Sequence, residues 1–574
     1  MSKSVPGYEE ISTDILIIGA GGAGLRAAIS AAEQGLKVSV ICKSLLGKAH
    51  TVMAEGGIAS SLANVDPDDS WETHFKDTMR GGQMLNNWRM GELLAKESPQ
   101  RVMELERWGM VFDRTPDGKI LQRPFGAHTY RRLCHVGDRT GLVLIRTLQD
   151  KAVSLDVDAY MEYTVIQLLT DGNGRVVGAL SYRRESGDFV VFRAKATIVA
   201  TGGWGKMYSV TSNSWEGTGD GAVLAYDVGA ELMDIEMVQF HPTGMVWPPG
   251  VRGILVTEAV RGEGGILVNS ENDRFMERYD PQKMELSSRD VVARAIYQEV
   301  QAGRGSPHGG VYLDVSHRGA SHIRKRLPSM YHQFKTLADI DITAGKFEVG
   351  PTIHYAMGGI RVDPESQVTT LEGLYASGEV ACGVHGANRL GGNALADLLV
   401  FGKRAGDAAG EFSSSLPEPG PVDDGQVESA IESILAPFNR EGDENPFQLH
   451  AELQATMQEH VSLARTEAGL NDALAKVHEL KERAERTVAT GTPAYNPRWH
   501  GCREVPVMLT ICESMIRCAL ERRESRGAQW RLDYRDPDSE LGKVNFVTKR
   551  VGGEMQITAA PLPEMPARLA ELFD

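Results

Sequence analysis

One imidazole in this chain stands inside a loop bounded by glycines, Gly47-Lys48-Ala49-His50-Thr51-Val52-Met53-Ala54-Glu55-Gly56-Gly57. A neutral ring nitrogen is a competent nucleophile near neutral pH, so His50 could bond to an electrophilic cofactor. A lone loop histidine is more often a solvated or hydrogen-bonded residue, and the loop alone does not separate the two. The stretch that precedes it narrows the choice. Gly19-Ala20-Gly21-Gly22-Ala23-Gly24 is a G-x-G-x-x-G turn. Its glycines permit a tight turn and close backbone approach, and a helix starting there offers free N–H groups and a positive dipole end to a pyrophosphate.

Such a turn carries meaning only between a strand and a helix, and the flanks predict both. Asp14-Ile15-Leu16-Ile17-Ile18 reads as a short apolar strand, Ala23 to Gln34 as an alanine-rich helix, and Val38-Ser39-Val40-Ile41 as a second strand, together a βαβ unit. A nicotinamide site also wants an acid at the end of the second strand, where this chain has Cys42-Lys43-Ser44. That disfavours NAD and leaves FAD, whose contacts can be spread over later segments. Two later strand–glycine turns fit, Ala196-Thr197-Ile198-Val199-Ala200-Thr201-Gly202-Gly203 and Gly373-Leu374-Tyr375-Ala376-Ser377-Gly378-Glu379.

The 574 residues imply roughly two to four domains. No apolar run approaches the roughly 18 to 20 residues of a membrane span, and Met1 to Glu10 lacks the basic start and apolar stretch of an export signal, so the expected location is the cytoplasm. A formal charge of -16 argues against nucleic acid as a partner, and any anionic ligand must be held by specific residues. The six cysteines (Cys42, Cys134, Cys382, Cys502, Cys512, Cys518) show no C-x-x-C pair. They suggest reduced core thiols, with no metal site and no self-contained iron–sulfur cluster.

From the glycine turn through Glu524-Ser525-Arg526-Gly527-Ala528 the chain resembles the flavoprotein subunits of succinate dehydrogenase and fumarate reductase. The resemblance implies FAD bonded covalently through His50, with further contacts from Gly19 through Gly24, Lys43, Ser44, Thr51, Gly56, Gly57, Asp220, Glu379, Ala394 and Leu395. It implies that the bond raises the flavin potential enough for succinate oxidation. For the substrate, His241 of Gln239-Phe240-His241-Pro242-Thr243-Gly244 and Thr257 match residues that bind one carboxylate. His354 and Arg389 match those that hold the other, and Phe125 matches the aromatic packed on the substrate. An arginine fork suits a carboxylate through paired charge-assisted bonds.

The family's proton-transfer residue corresponds to Arg289, relayed through Glu258 and Arg261. Without the resemblance, Arg289 would read as a salt-bridge partner of Asp290 or Glu258, because a guanidinium seldom releases a proton.

The fold implied is α/β: a Rossmann-like FAD-binding domain (8–237 and 352–412) interrupted by an α+β capping domain (238–351), then a helical domain (425–530) and an irregular or short-stranded C-terminal tail (531–574). Ser413 to Pro421 reads as a linker, and Gln426 to Phe438 and Leu449 to Val488 show helical apolar spacing. Pro561, Pro563 and Pro566 argue against a helical tail. The substrate site then falls in an interdomain cleft under a mobile cap.

Departures from the family pattern are Ala394 in place of a serine and Gln529 in place of a histidine. Glu55 stands where dehydrogenases often carry glutamine and some fumarate reductases glutamate. A two-electron flavin without a local cluster needs an outlet, and the resemblance implies an iron–sulfur subunit, one or more quinone-reactive membrane anchor subunits and a peripheral place on the cytoplasmic membrane face. Two rival readings are an L-aspartate oxidase-like soluble flavoenzyme and a catalytically silent, flavin-bearing assembly subunit.

Overall fold

The computed structural model describes residues 7–573; residues 1–6 of the Met1 to Glu10 stretch, and Asp574, lie outside it. The first apolar run belongs to an eleven-residue strand, Tyr8–Ile18, whose last four residues are buried. Burial on both faces explains why this run is continuously apolar rather than alternating. It pairs in parallel with Val38–Cys42 on one side and Phe189–Val199 on the other. Asp158–Met161 and Leu374–Ala376 add further parallel pairs, and Tyr163–Thr170 and Val176–Arg183 complete a seven-stranded mixed sheet. Both strand–glycine segments read from the sequence thus return to one sheet.

The predicted helix forms over Gly22–Ala32 and packs on a second helix, Asn393–Ser414. Their approach depends on glycine. A Cβ at Gly402 would lie 2.8 Å from the carbonyl oxygen of Ala23, and one at Gly406 would lie 2.4 Å from that of Ala27. The helix carrying Ala394 and Leu395 is thereby seated on the helix whose N-terminus ends the glycine turn.

Between these segments lies a separate antiparallel sheet, ordered Val238–Met245, Phe347–Ala356, Val311–Asp314, Ile266–Val268. It has its own core of Met245, Leu267, Val292, Ile296, Leu313, Phe334 and Phe347. The helix Arg289–Glu299 packs on the Val238–Met245 strand, which brings Arg289 beside His241.

Helices follow at Asp424–Leu435, Pro446–His460, Glu467–Ala484 and Pro497–Glu521. The apolar pattern over Leu449 to Val488 is two helices rather than one. Thr466 starts the second by accepting a hydrogen bond from the Gly469 amide. Ser413 and Ser414, read as linker, are instead the last residues of the Asn393–Ser414 helix.

Of the two forms expected for the tail, short-stranded or irregular, the stretch 544–561 takes the first. Val544–Val551 and Glu554–Pro561 form an antiparallel hairpin, and the first strand also pairs with Leu232–Met233. Pro561 ends the second strand, a position where its missing N–H costs no ladder bond.

All six cysteines are buried and unpaired. Gln529, one departure from the family pattern, is buried, accepts from Arg465 and donates to the carbonyls of Ala519 and Arg522 at 3.1 and 3.2 Å. Its amide is satisfied within the fold. No helix among the described residues is long and apolar enough to cross a membrane.

Candidate active site

One continuous cleft runs from the glycine turn to the inserted sheet, with about 1730 Å³ of unfilled space including its solvent-open mouth. The turn at its head is built as the spacing predicts. Gly19 has φ +115°, and a Cβ there would lie 2.2 Å from the Ala200 carbonyl oxygen, so the turn presses on the end of the neighbouring strand. Gly24 is not on the cleft wall; its lack of a side chain lets the helix pack on Gly19, whose oxygen a Cβ would meet at 1.9 Å. Gly21, at the helix start, provides no side-chain cap, which leaves first-turn N–H groups for an anion. The Gly22 amide donates to Thr51 Oγ1 at 3.2 Å, which ties the His50 loop to this helix end.

His50 lines the cleft, and its Nδ1 is buried without a hydrogen-bond partner among the described residues. Burial, opposed by Glu216 and aided by Arg389, lowers the ring's pKa to about 4, so it is neutral at physiological pH. A neutral imidazole with an unpartnered Nδ1, beside a helix N-terminus whose N-cap residue has no side chain and whose Gly22 amide is taken by Thr51, fits a flavin dinucleotide and a bond to it.

Lys43, Ser44, Asp220, Glu379, Ala394 and Leu395 line the same cleft. Lys43 already has partners: Asp220 at 2.8 Å, Glu504 at 2.9 Å and Thr218 at 2.9 Å, while Arg503 reaches Asp220 at 2.6 Å. Burial alone would raise the Asp220 carboxyl, but these cations hold it well below its ordinary range. Glu379 accepts from the Ala356 amide at 3.0 Å and is raised by burial to about 7. Glu55 is buried with Oε2 unpartnered, and burial pushes its pKa far up.

The other end of the cleft gathers Phe125, His241, Thr257, Glu258, Arg289, His354 and Arg389. Arg289 Nε donates to Glu258 Oε2 at 2.9 Å. Glu258 Oε1 accepts from the Gly126 amide at 2.6 Å; burial would raise this carboxyl, but Arg289 and Arg261 lower it on balance. Arg261 sits behind the wall, 3.6 Å from Glu258, with Nη1 on the Glu285 carbonyl at 2.5 Å. The three therefore form a file leading away from the cleft.

His354 lies between His50 and His241, with ring centroids 6.1 and 5.2 Å away. Burial and then the Arg289 charge hold both His241 and His354 well below the ordinary histidine value. Ser212 Oγ lies 3.0 Å from His354 Nδ1. Phe125 is wedged where Cβ atoms on Gly56 and Gly391 would come within 2.6 and 2.3 Å of its ring.

Sequence reasoning missed several residues here. Gln239 Oε1 accepts from both Arg289 Nη1 at 3.0 Å and Arg389 Nη2 at 3.1 Å. Tyr355 lies under the Arg389 guanidinium, 4.3 Å from ring centroid to carbon. Glu216 lines the cleft with an unpartnered oxygen. Gln239 lies two residues before His241 in the motif already singled out, but nothing local signals its role.

The buried imidazoles set an acid limit on stability. His50, His74 and His241 have native pKa values below the unfolded histidine value, so the unfolded chain binds protons that the native one does not. Stability is fully present above about pH 6.5 and is lost as pH falls toward the native values. The carboxyls raised by burial, Glu55 and Glu379, act in the opposite sense over the same window, since the native chain takes up their protons first. Thermal melts are expected to show Tm declining from pH 7 to pH 5 because the lowered imidazoles outnumber these two carboxyls; a flat or rising Tm would mean that the carboxyls outweigh them.

Residues 14–395 match the FAD binding domain family, and residues 450–567 match the fumarate reductase flavoprotein C-terminal family. With the cleft described, the chain is an FAD-dependent flavoprotein oxidoreductase. It is 45% identical over 542 residues, 94% of its length and 97% of that protein's, to a subunit of the fumarate reductase (CoM/CoB) of Methanothermobacter marburgensis. It is 39% identical over 547 residues, 92% of each chain, to the succinate dehydrogenase flavoprotein subunit of Coxiella burnetii. The structure of Mycobacterium smegmatis Sdh1 in complex with UQ1 matches with a TM-score of 0.87 and 51% identity, covering 97% of this chain and 95% of that one. This chain belongs to the family of flavoprotein subunits of succinate dehydrogenase and fumarate reductase, as its motifs led us to expect.

Proposed function

We propose that this chain interconverts succinate and fumarate on an FAD tethered at His50. The observation that carries this reading is the convergence of Arg289 and Arg389 on one acceptor, in the cleft that also holds the unpartnered His50. The glycine turn and its helix end would take the pyrophosphate, and Lys43, Ser44, Asp220, Glu379, Ala394 and Leu395 would border the rest of the cofactor. When bound, the flavin supplies hydride exchange with a substrate methylene carbon. Thr257 and His241 would hold one carboxylate, Arg389 and His354 the other, with Phe125 against the carbon chain. Clamping both ends fixes which carbon faces the cofactor. Arg289 gives or takes the second proton, and Glu258 and Arg261 pass it along their file. The 238–351 insertion acts as the cap that excludes water.

Electrons leave to an iron–sulfur partner protein, and from there to a membrane-anchored acceptor, with this chain peripheral on the cytoplasmic face. The 51% identical Sdh1, solved in complex with UQ1, supports a quinone as that acceptor. A second reading, CoM/CoB in place of a quinone, is favoured by the name of the 45% identical relative. The test is purification from the native host, followed by dye-linked succinate oxidation and fumarate reduction. Turnover of either dicarboxylate supports the reading; a fully flavinylated, folded protein inert to both overturns it and favours the silent-subunit alternative.

A further inference from the structure

Two like charges are held side by side in this cleft by a group that does not neutralise either. Arg289 comes from the inserted domain and Arg389 from the returning FAD-binding segment, 100 residues further along the chain. Both donate to Gln239 Oε1, at 3.0 and 3.1 Å. The nitrogen of the same amide donates to Asn388 Oδ1 at 2.8 Å and to the Arg389 carbonyl at 2.7 Å. Asn388 Nδ2 in turn donates to Asp290 Oδ1 at 2.9 Å, next in chain to Arg289. Gln239 is buried, and both the acceptor and the donor capacity of its amide are used. The circuit closes on itself: Arg289, Gln239, Arg389, Asn388, Asp290.

We infer that Gln239 is a positioning residue for the dicarboxylate reaction, setting the spacing between the proton-transferring and carboxylate-holding arginines while leaving both positive. This rests on the roles given to Arg289 and Arg389 under Proposed function. A neutral amide is the side chain the task requires. A carboxylate at the same place would accept the same two N–H groups but would cancel part of the field that attracts a dianion. An apolar side chain of similar length would leave two buried guanidinium donors unpaired and the cations free to move apart. Burial, with the Arg289 charge adding to it, already lowers Arg389 to about 9, a sign of how little compensation the site provides. The carboxylate that touches this pair, Glu258, is committed to Arg289 Nε and the Gly126 amide.

Geometry and charge can be separated with two variants of the holoprotein, Gln239→Met and Gln239→Glu, each assayed for kcat and KM with succinate and fumarate. Gln239→Met removes the acceptor and is expected to lower kcat by roughly 10- to 100-fold, as loss of positioning does. Gln239→Glu keeps the acceptor for both guanidinium groups but turns an oxygen toward Asn388 Oδ1 and the Arg389 carbonyl. It is therefore expected to restore part of the kcat lost in Gln239→Met while raising KM by at least about tenfold through like-charge repulsion. That split between the two constants is not what a merely structural residue produces. Equal losses in both constants for both variants, with flavin content and Tm unchanged, overturn the inference, as does wild-type behaviour in either. If Gln239→Met does not fold, Gln239→Glu decides alone, since an unchanged KM is fatal. Wild-type protein inert to both dicarboxylates would instead overturn the reading of the site itself.

Discussion

Replacing Arg289 with glutamine is expected to cut succinate and fumarate turnover by roughly 10²- to 10⁴-fold, the share that a positioned proton-transfer group supplies. Flavin content should remain that of the wild type, because Arg289 lies at the substrate end of the cleft and touches none of the residues around the glycine turn. The size of the effect follows from how the guanidinium is held. Nε is fixed on Glu258 at 2.9 Å and Nη1 on Gln239 at 3.0 Å, so the group has one orientation in a buried setting. Lysine should not rescue it, since a single ammonium cannot make both contacts from a flexible stem. Glu258→Gln should fall in the same direction by breaking the file to Arg261. The measurement is steady-state turnover in both directions beside the flavin absorbance of each preparation. Retention of more than about a tenth of wild-type turnover in Arg289→Gln would mean that the proton comes from another group, far short of the acid–base share expected of this one.

Features that depend on neighbours in sequence were legible before the structure. The G-x-G-x-x-G turn is one, because strand, turn and helix are contiguous and glycine spacing reports steric demand at each step. The same logic exposed the two later strand–glycine segments that return to the sheet. Long-range chemistry was not legible. Gln239 acquires its function from partners 50 and 150 residues away, and an amide in a strand gives no local sign of this. Lys43 was legible as a cleft residue, but not as the centre of an ion cluster with Asp220, Arg503 and Glu504. Those partners come from the Asp220–Asp227 and Pro497–Glu521 helices. The tail was legible only as far as its type: its prolines exclude a long helix and leave short strands or irregular chain. The pairing of Val544–Val551 with Glu554–Pro561 and with Leu232–Met233 is a long-range matter that the prolines, at and beyond the end of the second strand, do not signal.

Substituting His50 with serine is expected to abolish the yellow-green fluorescence that a tethered flavin gives on a denaturing gel. FAD should stay bound under native conditions, since the glycine turn, the uncapped helix end and the remaining cleft wall are untouched. The two activities should then part company. If the bond raises the flavin potential, as the family resemblance implies, its loss makes the flavin a poorer electron acceptor. A downward shift of about 30 mV in a two-electron couple corresponds to about 1.4 kcal/mol. Succinate oxidation should therefore fall by at least about tenfold, while fumarate reduction, which runs with the lower potential, should be largely kept. The ring's neutrality is what makes the attachment chemically reasonable: with a pKa near 4 it presents a free lone pair across the physiological range. Its unpartnered Nδ1 shows that no hydrogen bond from the described residues competes for that nitrogen. A fluorescent band surviving in His50→Ser would place the tether elsewhere. Loss of the band with both activities reduced in the same proportion would leave the tether in place as an anchor and refute its role in setting the potential.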